Sequence, residues 1–124
     1  IRGFSKLKRA DLLMSLEKKD LSNDLLKEIF IDESLDSIIR DLALYKYLMA
    51  KLDTLDQDIF FDLIDEDRLN ESEFKYLFVE LKALKLLIEG DKNSSFEIFE
   101  SIVSNNDFPV SIKTRAKKFK KISK

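Results

Sequence analysis

The sequence predicts an all-α protein, an α-solenoid built from antiparallel helix pairs. Three observations predict it. Turn residues are scarce, apolar residues recur at helical spacing along the chain, and two long helices carry apolar residues on two sides. The 124 residues include two glycines and one proline, too few for the turns of a β-rich domain of this length. Apolar residues at i, i+3, i+4 and i+7 mark one face of a helix. A helix apolar on two sides must be covered on both, which is the position of an inner helix in a layered stack.

The periodicity predicts seven helices. The first runs from Phe4 to Lys19 with Leu7, Ala10, Leu13, Met14 and Leu16 on its apolar face. Ser22 is the expected N-cap of a second helix, Asn23 to Phe30, because a serine hydroxyl accepts from the free N–H groups of a helix start. The third follows Ser34 and runs from Leu35 to Leu52. The fourth covers Asp56 to Ile64, and the fifth Glu71 to Glu89, capped near Asn70 or Glu71 and stopped by Gly90. The sixth spans Asn93 to Ser104. The seventh carries Pro109 in its first turn, where a missing N–H costs nothing, and ends near Ile122.

On the third helix Ile38, Leu42, Tyr45, Met49 and Leu52 form one stripe, and Ile39, Ala43 and Ala50 a second. On the fifth, Phe74, Leu77, Leu81, Leu84 and Ile88 form one, with Val79, Ala83 and Leu86 opposite. A shift of 39 residues lays Asp41-Leu42 on Glu80-Leu81, Ile59-Phe60 on Ile98-Phe99 and Leu63-Ile64 on Ile102-Val103. Each unit is then a longer helix, a turn and a shorter helix, a tetratricopeptide-like pattern in which no pair buries its face alone. The last helix turns Ile112, Ala116 and Phe119 inward and its lysines outward, as a terminal capping helix does. Residues 1–124 read as a single domain of this kind.

Charge is segregated, although the net charge is only −2. Asp20 to Asp107 holds 9 basic and 22 acidic residues. Lys113, Arg115, Lys117, Lys118, Lys120, Lys121 and Lys124 follow without one acid. That end is either the solvated outer face of a terminal helix or a surface for an anionic partner, such as a lipid surface or an acidic protein. Nucleic acid is not expected as a partner, because the acidic middle would repel it.

Most chemistry of a reactive centre is missing, which leaves a helical enzyme acting through paired carboxylates only as a third reading. Without His or Cys there is no imidazole base, no histidine-dependent triad and no thiolate site. With glycines only at Gly3 and Gly90 there is no phosphate-binding loop. Asp53, Asp56 and Asp58, and Asp62, Asp65, Glu66 and Asp67, lack the central glycine and closing glutamate of a calcium loop and read as turn and helix-start acids. The chain is expected not to be an enzyme, to carry no cofactor or metal, and to have no small-molecule ligand.

The expected binding residues lie between the apolar sides of the inner helices. Arg40, Tyr47 and Lys51 fall there on the third helix, and Lys75, Lys82, Lys85 and Glu89, with Phe78 nearby, on the fifth. On a concave face they would form a basic-aromatic strip that clamps a carboxylate or an acidic peptide segment. The alternative is ordinary solvated surface.

Ile38 to Tyr45 with Leu52-Asp53, Glu80 to Asp91, Phe96 to Glu100, and Phe108-Pro109 through Arg115-Ala116 also carry a resemblance. They resemble the "LRDLARLR…LLLD", "ELLALAALRAGD", "AARALFEQL" and "APAGLRARAQELL" segments of alphaproteobacterial tetratricopeptide-like proteins. These are related to the YfgM-type ancillary subunit of the SecYEG translocon. Arg40-Asp41-Leu42-Ala43 and Gly90-Asp91 are the sharpest matches. Lys, Ile, Phe or Asn stand here where the family has alanines. The resemblance implies a scaffold on the periplasmic side of an inner membrane, tethered by an N-terminal membrane helix upstream of Ile1. It also implies protein partners: the translocon, periplasmic chaperones or other envelope proteins. A soluble cytoplasmic peptide-binding adaptor is the alternative function.

Overall fold

The structure, a computed structural model, describes residues 2–123; Ile1 and Lys124 lie outside the described residues. Among these residues there are eight helices and no strand. They are α1 Phe4–Ser15, α2 Lys19–Ile31, α3 Ser37–Ala50, α4 Gln57–Leu63, α5 Glu66–Glu71, α6 Lys75–Ile88, α7 Lys92–Ser104 and α8 Val110–Ser123. The chain divides between Leu52 and Asp53 into two compact units.

In the first unit α1 packs on α2, α2 on α3, and α1 also touches α3. Its core is Leu7, Ala10, Leu26, Ile29, Phe30, Ile39, Ala43, Leu44, Tyr47 and Leu48. Ser22 is not a cap. α2 starts three residues earlier, and the buried Ser22 hydroxyl donates to the Ala10 carbonyl at 2.7 Å. Two expectations for side-chain packing also fail here. Leu16 ends α1 in an exposed position, and α3 is covered on one side only, leaving Ile38 45 % and Met49 44 % exposed. The covered side carries Ile39 and Ala43 of the second expected stripe together with Leu44, Tyr47 and Leu48, which belong to neither. In the α2–α3 turn Asp32 accepts from the Ser34 hydroxyl and N–H, and these bonds hold its carboxyl below the usual range.

In the second unit α5 packs on α6, α6 on α7, α7 on α8, and α6 touches α8. Ala83, Phe99, Ile102, Phe108, Ile112 and Ala116 form one buried cluster. α6 is covered around most of its circumference: Phe78, Glu80, Leu81, Ala83 and Lys85 are all buried. The fifth helix expected from Glu71 to Glu89 starts instead at Lys75, and a short helix that was not expected precedes it. The chain turns extended at Ser72, whose hydroxyl accepts from the Phe74 N–H at 3.0 Å, so Glu66–Glu71 is a separate short helix. The acids of this region cap helices. Asp56 accepts from the N–H groups of Asp58 and Ile59, and Asp65 from that of Arg68.

The two units share a repeat, at an offset of 73 residues. α2 and α3 map onto α7 and α8 without a residue to spare at either end. Ser22 donates to Ala10, and Ser95 donates to Ala83 at 3.0 Å. The first helix of each triplet ends in the same pair of bonds. Glu17 and Lys18 donate to Met14 and Leu13, and Gly90 and Asp91 donate to Leu87 and Leu86. Asp32 and Leu35 close the next turn as Asn105 and Phe108 do. Ala10, Ala43, Ala83 and Ala116 are fully buried, as small residues are where helix backbones approach closely. The 39-residue register pairs Phe60 with Phe99, both buried, but also the half-buried Leu42 with the buried Leu81.

Candidate functional site

The seven sequence-predicted binding residues divide between the units. In the first, Arg40 Nε and Nη2 both donate to the Phe30 carbonyl at 3.2 Å, closing the C-terminal end of α2. Tyr47 is buried with its ring edge-on to Phe30 at 5.2 Å, and the Lys51 ammonium lies 5.3 Å from the Tyr47 ring centre. In the second unit Phe78 and Lys85 are fully buried. The expectation that Tyr47, Phe78 and Lys85 line an exposed strip is therefore corrected. What looked from the sequence like a polar gap on α6 lies inside the unit. Lys85 is tolerated there because its Nζ donates to the Leu55 carbonyl at 2.6 Å, pairs with Glu89 at 2.8 Å and sits 5.5 Å from the Phe60 ring centre. A buried ammonium needs such partners.

Lys75 and Lys82 remain. Both line a groove of about 500 Å³ in the second unit. Seven residues separate them, two turns of α6, so they lie on one face about 10 Å apart along the axis. The apolar lining is Leu69 from α5, Tyr76 and Val79 from α6, Ile98 from α7, and Phe108. The Tyr76 and Phe108 rings meet at 4.7 Å, and the Lys75 ammonium is 5.1 Å from the Tyr76 centroid. Glu66, Asn70 and Ser101 add one carboxylate and two neutral polar groups. The groove suits an extended or helical peptide segment that places an apolar side chain against Tyr76 and Val79 and carboxylates near the lysines.

Sequence reasoning missed the α5 and α7 contributors, Glu66, Leu69, Asn70, Ile98 and Ser101. No helix was expected over Glu66 to Asn70, so one wall of the groove was missing from the sequence reading. The signal was available in Asp65, a capping residue before Glu66-Asp67.

A smaller groove in the first unit, about 380 Å³, is lined by Met14, Leu26, Tyr45, Met49 and the Lys46–Asp11 ion pair at 2.9 Å. It lies on the open side of α3.

Compared with protein-family models, with curated proteins and with solved structures, the chain finds no match.

Proposed function

We propose that the chain is a non-catalytic, tetratricopeptide-like scaffold that holds a segment of a protein partner in the Lys75–Lys82 groove. The observation that carries the reading is the groove itself: two cations two turns apart beside an apolar lining, on a helix otherwise covered by its neighbours. The tetratricopeptide-like assignment is supported by spacing. Ala10 to Ala43 and Ala83 to Ala116 are each 33 residues apart, close to the roughly 34-residue period of that repeat. Ser22 and Ser95 supply the second small residue of each helix pair.

The place of work in this reading is the periplasmic face of an inner membrane, beside the Sec translocon, envelope chaperones or other envelope proteins. It is supported by the resemblance of Arg40-Asp41-Leu42-Ala43 and Gly90-Asp91 alone. No helix among the described residues is long and apolar enough to cross a membrane. A stretch of about 20 apolar residues encoded upstream of Ile1 would support a tether.

The binding test uses a synthetic peptide with one Leu between two Glu pairs. Lys75→Glu with Lys82→Glu should weaken its affinity by about tenfold or more, since like charges then face the carboxylates. Undiminished affinity, with helical circular dichroism retained, would remove the groove from the function.

A further inference from the structure

We infer that the outer face of α8 is a docking surface for an anionic lipid membrane. It is separate from the Lys75–Lys82 groove and does not depend on that groove's role.

Ile112, Ala116 and Ser123 are the buried residues of α8. At 3.6 residues per turn, Val110, Lys117, Lys118 and Lys121 fall on the opposite side and Ile122 at its edge, and all five are exposed. Lys117, Lys118 and Lys121 make no ion pair among the described residues. The other cations of the helix are engaged: Arg115 with Glu80, Lys113 with Asn106 at 3.3 Å, and Lys120 over Phe96 at 5.6 Å. Three unneutralised lysines therefore share one face. Val110 and Ile122 stand at its two ends, 79 % and 60 % exposed.

The composition of this face decides between partners. Protein interfaces are depleted in lysine and centred on buried aromatic anchors. Here the centre is lysine, the aliphatic residues are peripheral, and Phe96, which borders Lys117 and Lys121, has the Lys120 ammonium over its ring. Lysine is a mobile point charge rather than a bidentate fork, which suits a diffuse array of phosphates better than a fixed carboxylate. Exposed aliphatic side chains beside lysines can enter the boundary between headgroups and acyl chains. The rest of the unit sharpens the orientation. Asp53 to Asp107 holds fifteen acidic and five basic residues, so an anionic surface repels it and attracts α8.

The test is cosedimentation of the whole chain with phosphatidylcholine vesicles, with and without phosphatidylglycerol. Binding should require phosphatidylglycerol and fall on adding salt. Lys117→Gln, Lys118→Gln and Lys121→Gln together should weaken it about a hundredfold, with circular dichroism unchanged. Lys18→Gln, Lys19→Gln and Lys27→Gln, an equal charge change in the first unit, should leave it nearly intact. Absence of vesicle binding, an equal loss in both triple variants, or equally tight capture of soluble polyglutamate would each overturn the inference. The Lys75→Glu/Lys82→Glu variant separates the two surfaces, because it should still bind vesicles.

Discussion

Glu80 and Arg115 hold in the second unit the positions that Leu7 and Leu42 hold in the first, 73 residues earlier. The carboxylate of Glu80 is nearly buried and takes both arms of the guanidinium, at 2.8 Å and 2.9 Å. Removing one partner of such a pair strands a charge in the interior. Arg115→Leu should therefore destabilise the protein by about 2–3 kcal/mol, less than for a fully buried pair because Arg115 is half exposed. Glu80→Leu added to it should restore most of the loss, since leucines occupy both equivalent positions in the first unit. Urea denaturation of the two variants checks this, and a double variant no more stable than the single one would contradict it. None of this was legible in the sequence. Glu80, Lys85 and Arg115 read as surface charges on helices, and only the packing around α6 shows which of them are enclosed.

At the scale of elements, the two triplets differ where their first helices stop. Both stops use a left-handed residue, Gly90 at φ 87° and Glu17 at φ 62°. A side chain in that conformation costs roughly 1–2 kcal/mol, which glycine avoids. Glu17→Gly should raise stability by about 1 kcal/mol, and Gly90→Ala should lower it by a similar amount. Thermal melts read both, and a Glu17→Gly variant that melts lower would show that the turn is held by something other than this backbone geometry. The helices themselves were largely legible: apolar spacing placed α3, α4, α7 and α8 within two residues of their observed ends, and α1 at its start but four residues too long. Two boundaries failed at serines, each for its own reason. Serine was taken as a cap at Ser22, whereas its hydroxyl crosses to the neighbouring helix. Glu71 was taken as a start, whereas Ser72 breaks the chain one residue later. A local cap signal cannot distinguish a hydroxyl that closes its own helix from one that bonds another.

At the scale of the molecule, the chain carries the same hydrogen-bonded helix triplet in each of its two units, with α4 and α5 between them in sequence. The repeat was visible in principle, since Ala10, Ser22 and Ala43 recur as Ala83, Ser95 and Ala116. It was obscured because the strongest hydrophobic coincidences fall at 39 residues, where long helices align on any register that matches their stripes. Of the predicted binding residues, the structure leaves Lys75 and Lys82 on an accessible groove. Arg40 instead bonds to the Phe30 carbonyl and Lys51 lies over the Tyr47 ring, and Tyr47, Phe78 and Lys85 are buried in their respective units. The proposed role of the second unit is to hold a segment of a protein partner in the Lys75–Lys82 groove. Amide chemical-shift mapping by NMR during titration with the Leu/Glu peptide tests it most directly. Shifts should concentrate at Asn70, Lys75, Tyr76, Lys82, Ser101 and Phe108 and leave the first unit unchanged. Shifts confined to the first unit, or none at saturating peptide, would contradict it.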